Sequence, residues 1–221
     1  MLMVLNRDSA HFNMLEQQIR PTDVTDVRLL EALREVKRVD FMAADLAGLA
    51  YADTPLPIGN GQMMLPPILQ SKMLQALAIE ANESVLEVGT GTGYFTALLS
   101  KLAKQVDTVE IVPELAQIAE QNLQDFGADN VHCHVGDASV EWPLKDRVDV
   151  IVLTAAFVTI PERYLLQLEV GGRMLAIVGK GKVMEVQLVN RFSEREWQTK
   201  VVFETVIPSV INAEPKPEFE F

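Results

Sequence analysis

The sequence is poor in cysteine, in basic side chains and in long apolar runs. One cysteine, Cys133, excludes an internal disulfide and favours a reducing, intracellular compartment. Nineteen Lys and Arg against 31 Asp and Glu give a net charge of −12, which argues against nucleic acid and anionic membranes as partners. The apolar start, 1–5, is too short for a secretion signal, and no window of about 18 apolar residues is present. We therefore expect a cytoplasmic protein.

The remaining composition is that of a folded globular chain. Its 221 residues are 48% hydrophobic and 23% charged, and the mean hydropathy is +0.13. This length suits one sizeable core, and the hydrophobic content excludes disorder over most of the chain. We expect a single structural domain with three parts: N-terminal helices and a loop over 1–82, a core over 83–211, and a tail over 212–221.

The first 82 residues have helical spacing interrupted by one long loop. Between 10 and 41, apolar residues recur at helical intervals, and Pro21 with Asp23 as a new N-cap divides them into two amphipathic helices. The apolar positions are Phe12, Leu15, Ile19, Val27, Leu30, Leu33 and Val36. Residues 50–67 hold four prolines and two glycines, which predicts an irregular functional loop. A further helix is predicted from Pro67 to about Asn82.

From residue 83 onward, short β-rich runs alternate with helical ones. The predicted strands are 84–88, 106–110, 131–135, 148–154 and 173–178, and the predicted helices are 94–104, 113–126 and 161–168. Such alternation is typical of right-handed βαβ units with a parallel sheet. Residues 183–190 and 197–206 are predicted to form an antiparallel hairpin around the turn 193–196. The fold class is therefore α/β, doubly wound, with a mostly parallel sheet.

A glycine-rich turn follows the first of these strands. Gly89, Gly91 and Gly93 lie between a strand and a helix, where backbone N–H groups are available to a ligand. Glu110 ends the next strand and is suited to accept both ribose hydroxyls, and Asp137 follows the third. Because the carboxyl ends of parallel strands border one crevice, we expect all three loops to converge on one ligand of adenosine size.

The glycine spacing distinguishes between nucleoside cofactors. A dinucleotide fingerprint requires a third glycine where this sequence has Tyr94, so NAD is disfavoured. The pattern at 89–93, with Glu87 inside the preceding strand, resembles the first motif of class I S-adenosylmethionine-dependent methyltransferases. An acid at that strand end suits the ammonium group of the cofactor.

Further motifs lie along the chain from about residue 12 to 180. They are MLEQQIR (14–20), LPIGNGQ (56–62), the glycine turn, DVIVLTAA (149–156), Ile160-Pro161 and QLEVGGR (167–173). With these motifs the chain resembles the protein-L-isoaspartate O-methyltransferase family. The resemblance implies a seven-stranded, Rossmann-like methyltransferase. It also implies transfer of a methyl group from S-adenosylmethionine to the free carboxylate of an isoaspartyl residue in a damaged protein, leaving S-adenosylhomocysteine.

The predicted site combines the motif residues with this resemblance. The cofactor-binding set is Gln62, Met63, Met64, Leu65, Glu87, Gly89, Thr90, Gly91, Gly93, Glu110, Ile111, Asp137 and Ala138. The acceptor set is Leu56, Pro57, Ile58, Gly59 and Thr154, with the loop as lid and wall. No catalytic residue is assigned, because Leu65 stands where the family has its active-site serine and Met63 replaces a threonine.

The missing hydroxyls leave three functions open. The first is an isoaspartyl-type O-methyltransferase with altered substrate preference. The second is a regulatory protein that binds S-adenosylmethionine without transferring methyl. The third is a methyltransferase for another carboxylate or a small molecule.

Several other features have two interpretations. Met63-Met64 is either core filling or a lining beside the sulfonium, and Thr154 is either a plain strand end or part of the acceptor crevice. No metal is expected at His132-Cys133-His134, because strand alternation points Cys133 away from the two histidines and no acid pair is near. The acidic tail either frays or docks through Phe219 and Phe221.

Overall fold

The computed structural model describes residues 7–213, so Phe219, Phe221 and the choice between a frayed and a docked tail lie outside the described residues. Within 7–213 no helix combines the length and the apolar character that a bilayer span requires.

The N-terminal segment is one helical stretch of changing pitch. Helix α1 covers Arg7–Asn13 and continues as a π-helical segment, Met14–Ile19, and a 3-10 turn, Arg20–Thr22. Pro21 lies in that turn, so the predicted break is confirmed. Leu15 and Ile19 are buried, but Phe12 is 60% exposed, because the pitch changes after Asn13 and helical spacing does not extend across the change.

Helix α2, Val27–Glu35, begins three residues later than the predicted cap implies. Its N-cap is Asp26, whose side chain accepts a hydrogen bond from the Leu29 amide at 2.9 Å. The prediction of Asp23 as N-cap is wrong, since Asp23 has a φ of 66° and ends the preceding 3-10 turn. Val27, in the first turn of α2, is exposed.

The predicted irregular loop contains a small hairpin. Two 3-10 segments, Arg38–Phe41 and Ala44–Leu49, precede strands β1 (Leu56–Gly59) and β2 (Gln62–Met64), which pair antiparallel. Asn60 and Gly61 both have positive φ and form its turn, so Asn-Gly here was an overlooked hairpin signal. Helix α3, Pro67–Leu77, follows directly and ends before the predicted Asn82, with Ala78 in the left-handed conformation.

The central sheet has seven strands, as the predicted fold requires. They are β3 (Ser84–Val88), β4 (Gln105–Glu110), β5 (Val131–Val135), β6 (Val148–Phe157), β7 (Leu168–Lys180), β8 (Val183–Ser193) and β9 (Glu196–Thr205). Their spatial order is β5-β4-β3-β6-β7-β8-β9. The first five strands in this order pair parallel, whereas the β7–β8 and β8–β9 pairs are antiparallel. This pairing confirms the parallel core and the C-terminal hairpin.

The connecting helices are α4 (Tyr94–Leu102), α5 (Pro113–Phe126) and α6 (Glu162–Gln167). The limits of α5 agree with the prediction, because Pro113 suits a first turn and Gly127, with a φ of 82°, closes the end. Strand β7 starts five residues earlier than predicted. Gly172 belongs to this earlier part of the strand and packs directly against the backbone of β6.

The two faces of the sheet carry separate hydrophobic cores. Neighbouring strand residues alternate between them: Val85 and Val150 face the core shared with the N-terminal helices and α3–α5, whereas Leu86 and Ile151 face the core around Tyr164 of α6. Helices therefore cover both faces, and the carboxyl ends of the parallel strands open at one edge.

Gly172→Ala tests the close packing of β7 on β6. A Cβ at this position would lie 2.6 Å from the Asp149 carbonyl oxygen, so we expect a loss of about 1–3 kcal/mol in the free energy of unfolding, measured in urea. Gly48→Ala is the matched control, because open space surrounds Gly48 and the substitution should be neutral or stabilising by up to about 1 kcal/mol. Equal effects of the two substitutions would contradict the packing argument.

Candidate active site

The glycine turn between β3 and α4 is held by Thr154 at the end of β6. Gly89 has a φ of 100°, and a Cβ there would overlap the Thr154 hydroxyl. That hydroxyl donates to the carbonyl oxygens of Val88 and Gly89, each at 2.8 Å. Glycine at position 89 therefore allows Thr154 to bond the backbone of the turn at the carboxyl edge of the sheet.

Glu110 fixes the far side of this turn. Its carboxylate accepts hydrogen bonds from the Gly91 amide at 2.8 Å and from the Val112 amide at 3.0 Å. The side chain is largely buried, and each carboxylate oxygen keeps a second lone pair for a ligand hydroxyl. The acid thus both shapes the turn and provides an acceptor beside it.

A cavity of about 460 Å³ lies at the ends of β3, β4 and β5; we call it the strand-end cavity. Six residues of the predicted cofactor set line it: Gln62, Gly89, Glu110, Ile111, Asp137 and Ala138. The structure therefore brings the three predicted loops together around one space.

The wall of this cavity is completed by a chain segment that the sequence did not indicate. Residues 209–211 line it, and the segment is tied to β6 by hydrogen bonds of the Ala156 backbone with Pro208 and Val210, at 3.0 and 2.8 Å. Asp137 accepts from the Ser139 amide at 2.9 Å and from the Asn212 side chain at 2.8 Å. These hydrogen bonds lower the pKa of Asp137, and the bond from the Ser139 backbone has the largest effect. Asp137 is therefore ionised at neutral pH.

A second cavity of about 350 Å³, which we call the hairpin cavity, lies between β2, the glycine turn and the start of α4. It is lined by eight residues of the predicted sets: Ile58, Met63, Met64, Leu65, Gly89, Thr90, Gly91 and Thr154. It shares Gly89 with the strand-end cavity, so the two spaces adjoin at the turn. Met64 and Leu65 also belong to the buried core, so each of these side chains both fills the core and lines the cavity.

Five predicted residues lie outside both linings. Leu56 is buried, and Pro57 and Gly59 are exposed on the hairpin. Gly93 faces α5, where a Cβ would stand 3.2 Å from Leu123 Cγ, so its glycine serves helix packing. Glu87 lies beneath the turn.

Glu87 is a fully buried acid that supports the turn through hydroxyl groups. Its Oε2 accepts from Thr96 Oγ1 at 2.5 Å and from Thr108 Oγ1 at 2.7 Å, and the Thr108 hydroxyl also bonds that of Thr90 at 2.6 Å. Its Oε1 is buried without a hydrogen-bond partner among residues 7–213. Burial raises the pKa of Glu87 to about 7, although both hydroxyls act in the opposite direction.

His132 and His134 lie on β5, which is an edge strand of the sheet. His134 bonds Asp107 at 2.8 Å, and burial raises the pKa of the Cys133 thiol to about 11. Across residues 7–213 the structure contains no group of three or more His, Cys, Asp or Glu side chains able to hold a metal ion.

Sequence reasoning missed three polar residues of the hairpin cavity. They are Gln70 on α3, Thr92 in the glycine turn and Tyr94 at the start of α4, and all three are buried. For Gln70 and Tyr94, helical periodicity assigns such positions to the core and cannot distinguish a core position from a cavity wall.

The strand order, the glycine turn and the acid at the end of β4 define a class I S-adenosylmethionine-dependent methyltransferase. Among solved structures, a putative protein-L-isoaspartate O-methyltransferase from Plasmodium falciparum, in complex with S-adenosyl-L-homocysteine, superposes with a TM-score of 0.79 at 18% identity, covering 93% of this chain and 98% of that one. A second structure, named protein-L-isoaspartate O-methyltransferase, has a TM-score of 0.78 at 22% identity, covering 92% and 65%. These likenesses support the fold.

Sequence comparison identifies the family. Residues 9–213 match the family described as protein-L-isoaspartate(D-aspartate) O-methyltransferase. The chain is 44% identical over 169 residues to the protein-L-isoaspartate O-methyltransferase of Myxococcus xanthus, covering 76% of this chain and 80% of that protein. It is 40% identical over 179 residues to the enzyme of the same name from Magnetococcus marinus, covering 81% and 78%. The chain belongs to the protein-L-isoaspartate O-methyltransferase family.

The raised pKa of Glu87 predicts a pH-dependent stability. The folded protein holds this proton up to about pH 7, whereas the ordinary glutamate pKa is 4.5, so the contribution is fully present below 4.5 and is lost as the pH rises towards 7. Glu87→Gln retains the shape of the protonated acid and removes the titration. Relative to wild type, we expect the variant to gain about 2–3 kcal/mol in free energy of unfolding between about pH 5 and about pH 8.

Urea unfolding at the two pH values measures this gain. Glu114→Gln, on the exposed first turn of α5, is the matched control and should follow the wild-type profile. Parallel profiles for wild type and Glu87→Gln would contradict the buried, titrating carboxyl.

Proposed function

We propose that this protein transfers a methyl group from S-adenosylmethionine to the free carboxylate of an isoaspartyl residue in a protein or peptide. Family membership supports the reaction class. The observation that carries the proposal is the junction of two cavities at Gly89, one bordered by the acids of the strand ends and the other by the β1–β2 hairpin.

The strand-end cavity has the donors and acceptors that the cofactor needs. Gly89 borders this cavity, and the absence of a Cβ there leaves room for the Thr154 hydroxyl that holds the turn. Glu110 would hold the ribose hydroxyls, and Asp137 with Ala138 the adenine end. When bound, S-adenosylmethionine supplies an electrophilic methyl group on a sulfonium sulfur.

The residues of the hairpin cavity would hold the acceptor. A carboxylate is already ionised at pH 7, so the chain needs no general base. Its task is to align the acceptor oxygen with the methyl carbon and to exclude water. Met63, Met64 and Phe95 provide apolar walls for this purpose. The Thr154 hydroxyl already donates to backbone carbonyl oxygens of the turn. Its role is therefore to hold the junction of the two cavities rather than to bind the acceptor.

Leu65 is the feature that favours a second candidate function, a regulatory protein that binds S-adenosylmethionine without transferring methyl. Its side chain is 7% exposed and lines the hairpin cavity at the position of the family's serine. A lost hydrogen bond to a charged acceptor is worth about 1.5–3 kcal/mol, or roughly 10- to 100-fold in acceptor handling. The missing hydrogen bond therefore weakens methyl transfer, but the cavity walls can still align the acceptor oxygen with the methyl carbon.

Cofactor binding is tested by calorimetric titration with S-adenosylhomocysteine. We expect Glu110→Ala to weaken binding by more than about fivefold, or about 1 kcal/mol, because the ribose acceptor is removed. Glu114→Ala makes the same chemical change on the exposed start of α5 and should leave the affinity unchanged. No detectable binding to the wild type at about 1 mM ligand would refute the cofactor assignment.

Turnover is tested with radiolabelled S-adenosylmethionine and an isoaspartyl peptide. We expect wild type to label the peptide and Leu65→Ser to raise kcat/KM for the peptide by roughly 10- to 100-fold, because the serine hydroxyl restores a donor to the carboxylate. A urea titration of the variant accompanies the assay, since loss of a buried leucine costs stability.

The outcomes separate the candidate functions. Label in the peptide with wild type excludes the regulatory reading. Label in the peptide with Leu65→Ser but not with wild type favours the regulatory function. That result would also identify the leucine in the loop as the reason why wild type does not transfer methyl. Cofactor binding without label from either protein would mean that the acceptor is another carboxylate or a small molecule.

A further inference from the structure

We infer that the side-chain amide of Gln70, oriented by buried Arg38, binds the carboxylate of the methyl acceptor in the hairpin cavity. This inference rests on the proposed function and names the group that takes over acceptor recognition where Leu65 provides no hydroxyl.

Arg38 is a buried cation that forms no ion pair within the described part of the chain. The residue is 0% exposed, and its guanidinium donates to Gln70 Oε1 and to the Leu65 carbonyl oxygen, each at 2.6 Å. The guanidinium carbon also lies 5.2 Å from the ring centroid of Tyr94. Among residues 7–213 no carboxylate forms a salt bridge with Arg38, although Asp53 attracts it from a greater distance.

The guanidinium determines which way the Gln70 amide faces. Arg38 has only donors, so the atom of Gln70 that it contacts must be the oxygen. The amide NH2 is then turned away from Arg38. Gln70 is 4% exposed on α3 and lines the hairpin cavity, so its two N–H donors are the polar groups it has left for an occupant of that cavity.

The charge balance of the cavity favours an anion. Its lining contains no carboxylate, while the positive charge of Arg38 lies directly behind Gln70 and Leu65. An unpaired buried cation is costly, and an anion placed nearby reduces that cost. A hydrogen bond from an amide polarised by a guanidinium is also stronger than one from an isolated amide.

Tyr94 adds a second unused donor to the same wall. Its hydroxyl is buried and has no hydrogen-bond partner among the described residues. Burial raises the pKa of Tyr94 to about 12, so the hydroxyl keeps its proton at neutral pH. Buried donors without partners are rare in folded proteins and are explained here by a bound group.

Gln70→Glu tests the inference by kinetics. The new carboxylate pairs with Arg38 and preserves the fold, but it replaces the N–H donors with a negative oxygen facing the acceptor. We expect the KM for an isoaspartyl peptide to rise at least about tenfold, while the Kd for S-adenosylhomocysteine and the unfolding midpoint do not worsen. Gln117→Glu makes the same change on an exposed position of α5 and should leave all three values unchanged.

Nuclear magnetic resonance tests the inference without turnover. The Gln70 side-chain amide signals, assigned by their absence in Gln70→Glu, are followed in the complex with S-adenosylhomocysteine. An isoaspartyl peptide should shift them downfield, whereas the same peptide with its free carboxylate converted to a carboxamide should not.

The results distinguish this inference from the proposed function. Turnover by wild type with an unchanged peptide KM in Gln70→Glu, or with no shift of the Gln70 signals, overturns the inference and leaves the function standing. A carboxylate-dependent shift without any turnover supports recognition by Gln70 and refutes methyl transfer to this peptide. Absence of both turnover and shift refutes both.

Discussion

The hydrogen bonds of the Thr154 hydroxyl to the carbonyl oxygens of Val88 and Gly89 are the contact on which the rest of the site depends. They draw the end of β6 against the glycine turn so closely that position 89 has no space for a side chain. Both cavities meet at this residue. The contact between Thr154 of β6 and the glycine turn therefore determines how close the two cavities lie to each other.

Two acids hold the same turn from different sides and with different chemistry. Glu110 stays at the surface of the cavity and bonds backbone amides directly, so it stabilises the turn as an anion. Glu87 acts from below through threonine hydroxyls, and its pKa of about 7 leaves it partly protonated at neutral pH. Partial protonation reduces the repulsion that two charged carboxylates on neighbouring strands would create.

The order of strands and helices from residue 83 onward follows from the sequence, because buried parallel strands are short apolar runs and α5 has proline and glycine at its ends. The convergence of Gly89, Glu110 and Asp137 follows as well, since parallel strands end at one edge. Other features do not. Asp26 rather than Asp23 caps α2, and the sequence alone does not rank two aspartates three residues apart. Pro57 and the prolines that flank the hairpin at 56–64 made the segment resemble an irregular loop. Gln70 and Arg38 are paired through space, 32 positions apart, which no local pattern reveals.

The segment at 208–212 supplies part of the wall of the strand-end cavity, although it is far in sequence from the strand ends that form the rest. Asp137, which we propose to meet the adenine end of the cofactor, already accepts a hydrogen bond from the Asn212 side chain, and the Ala156 backbone bonds the same segment. A nucleoside bound as proposed would lie against the chain's last described turn. Its affinity would then be coupled to the packing of that turn, so sequence changes near residue 212 would alter cofactor retention without changing the methyl-transfer chemistry.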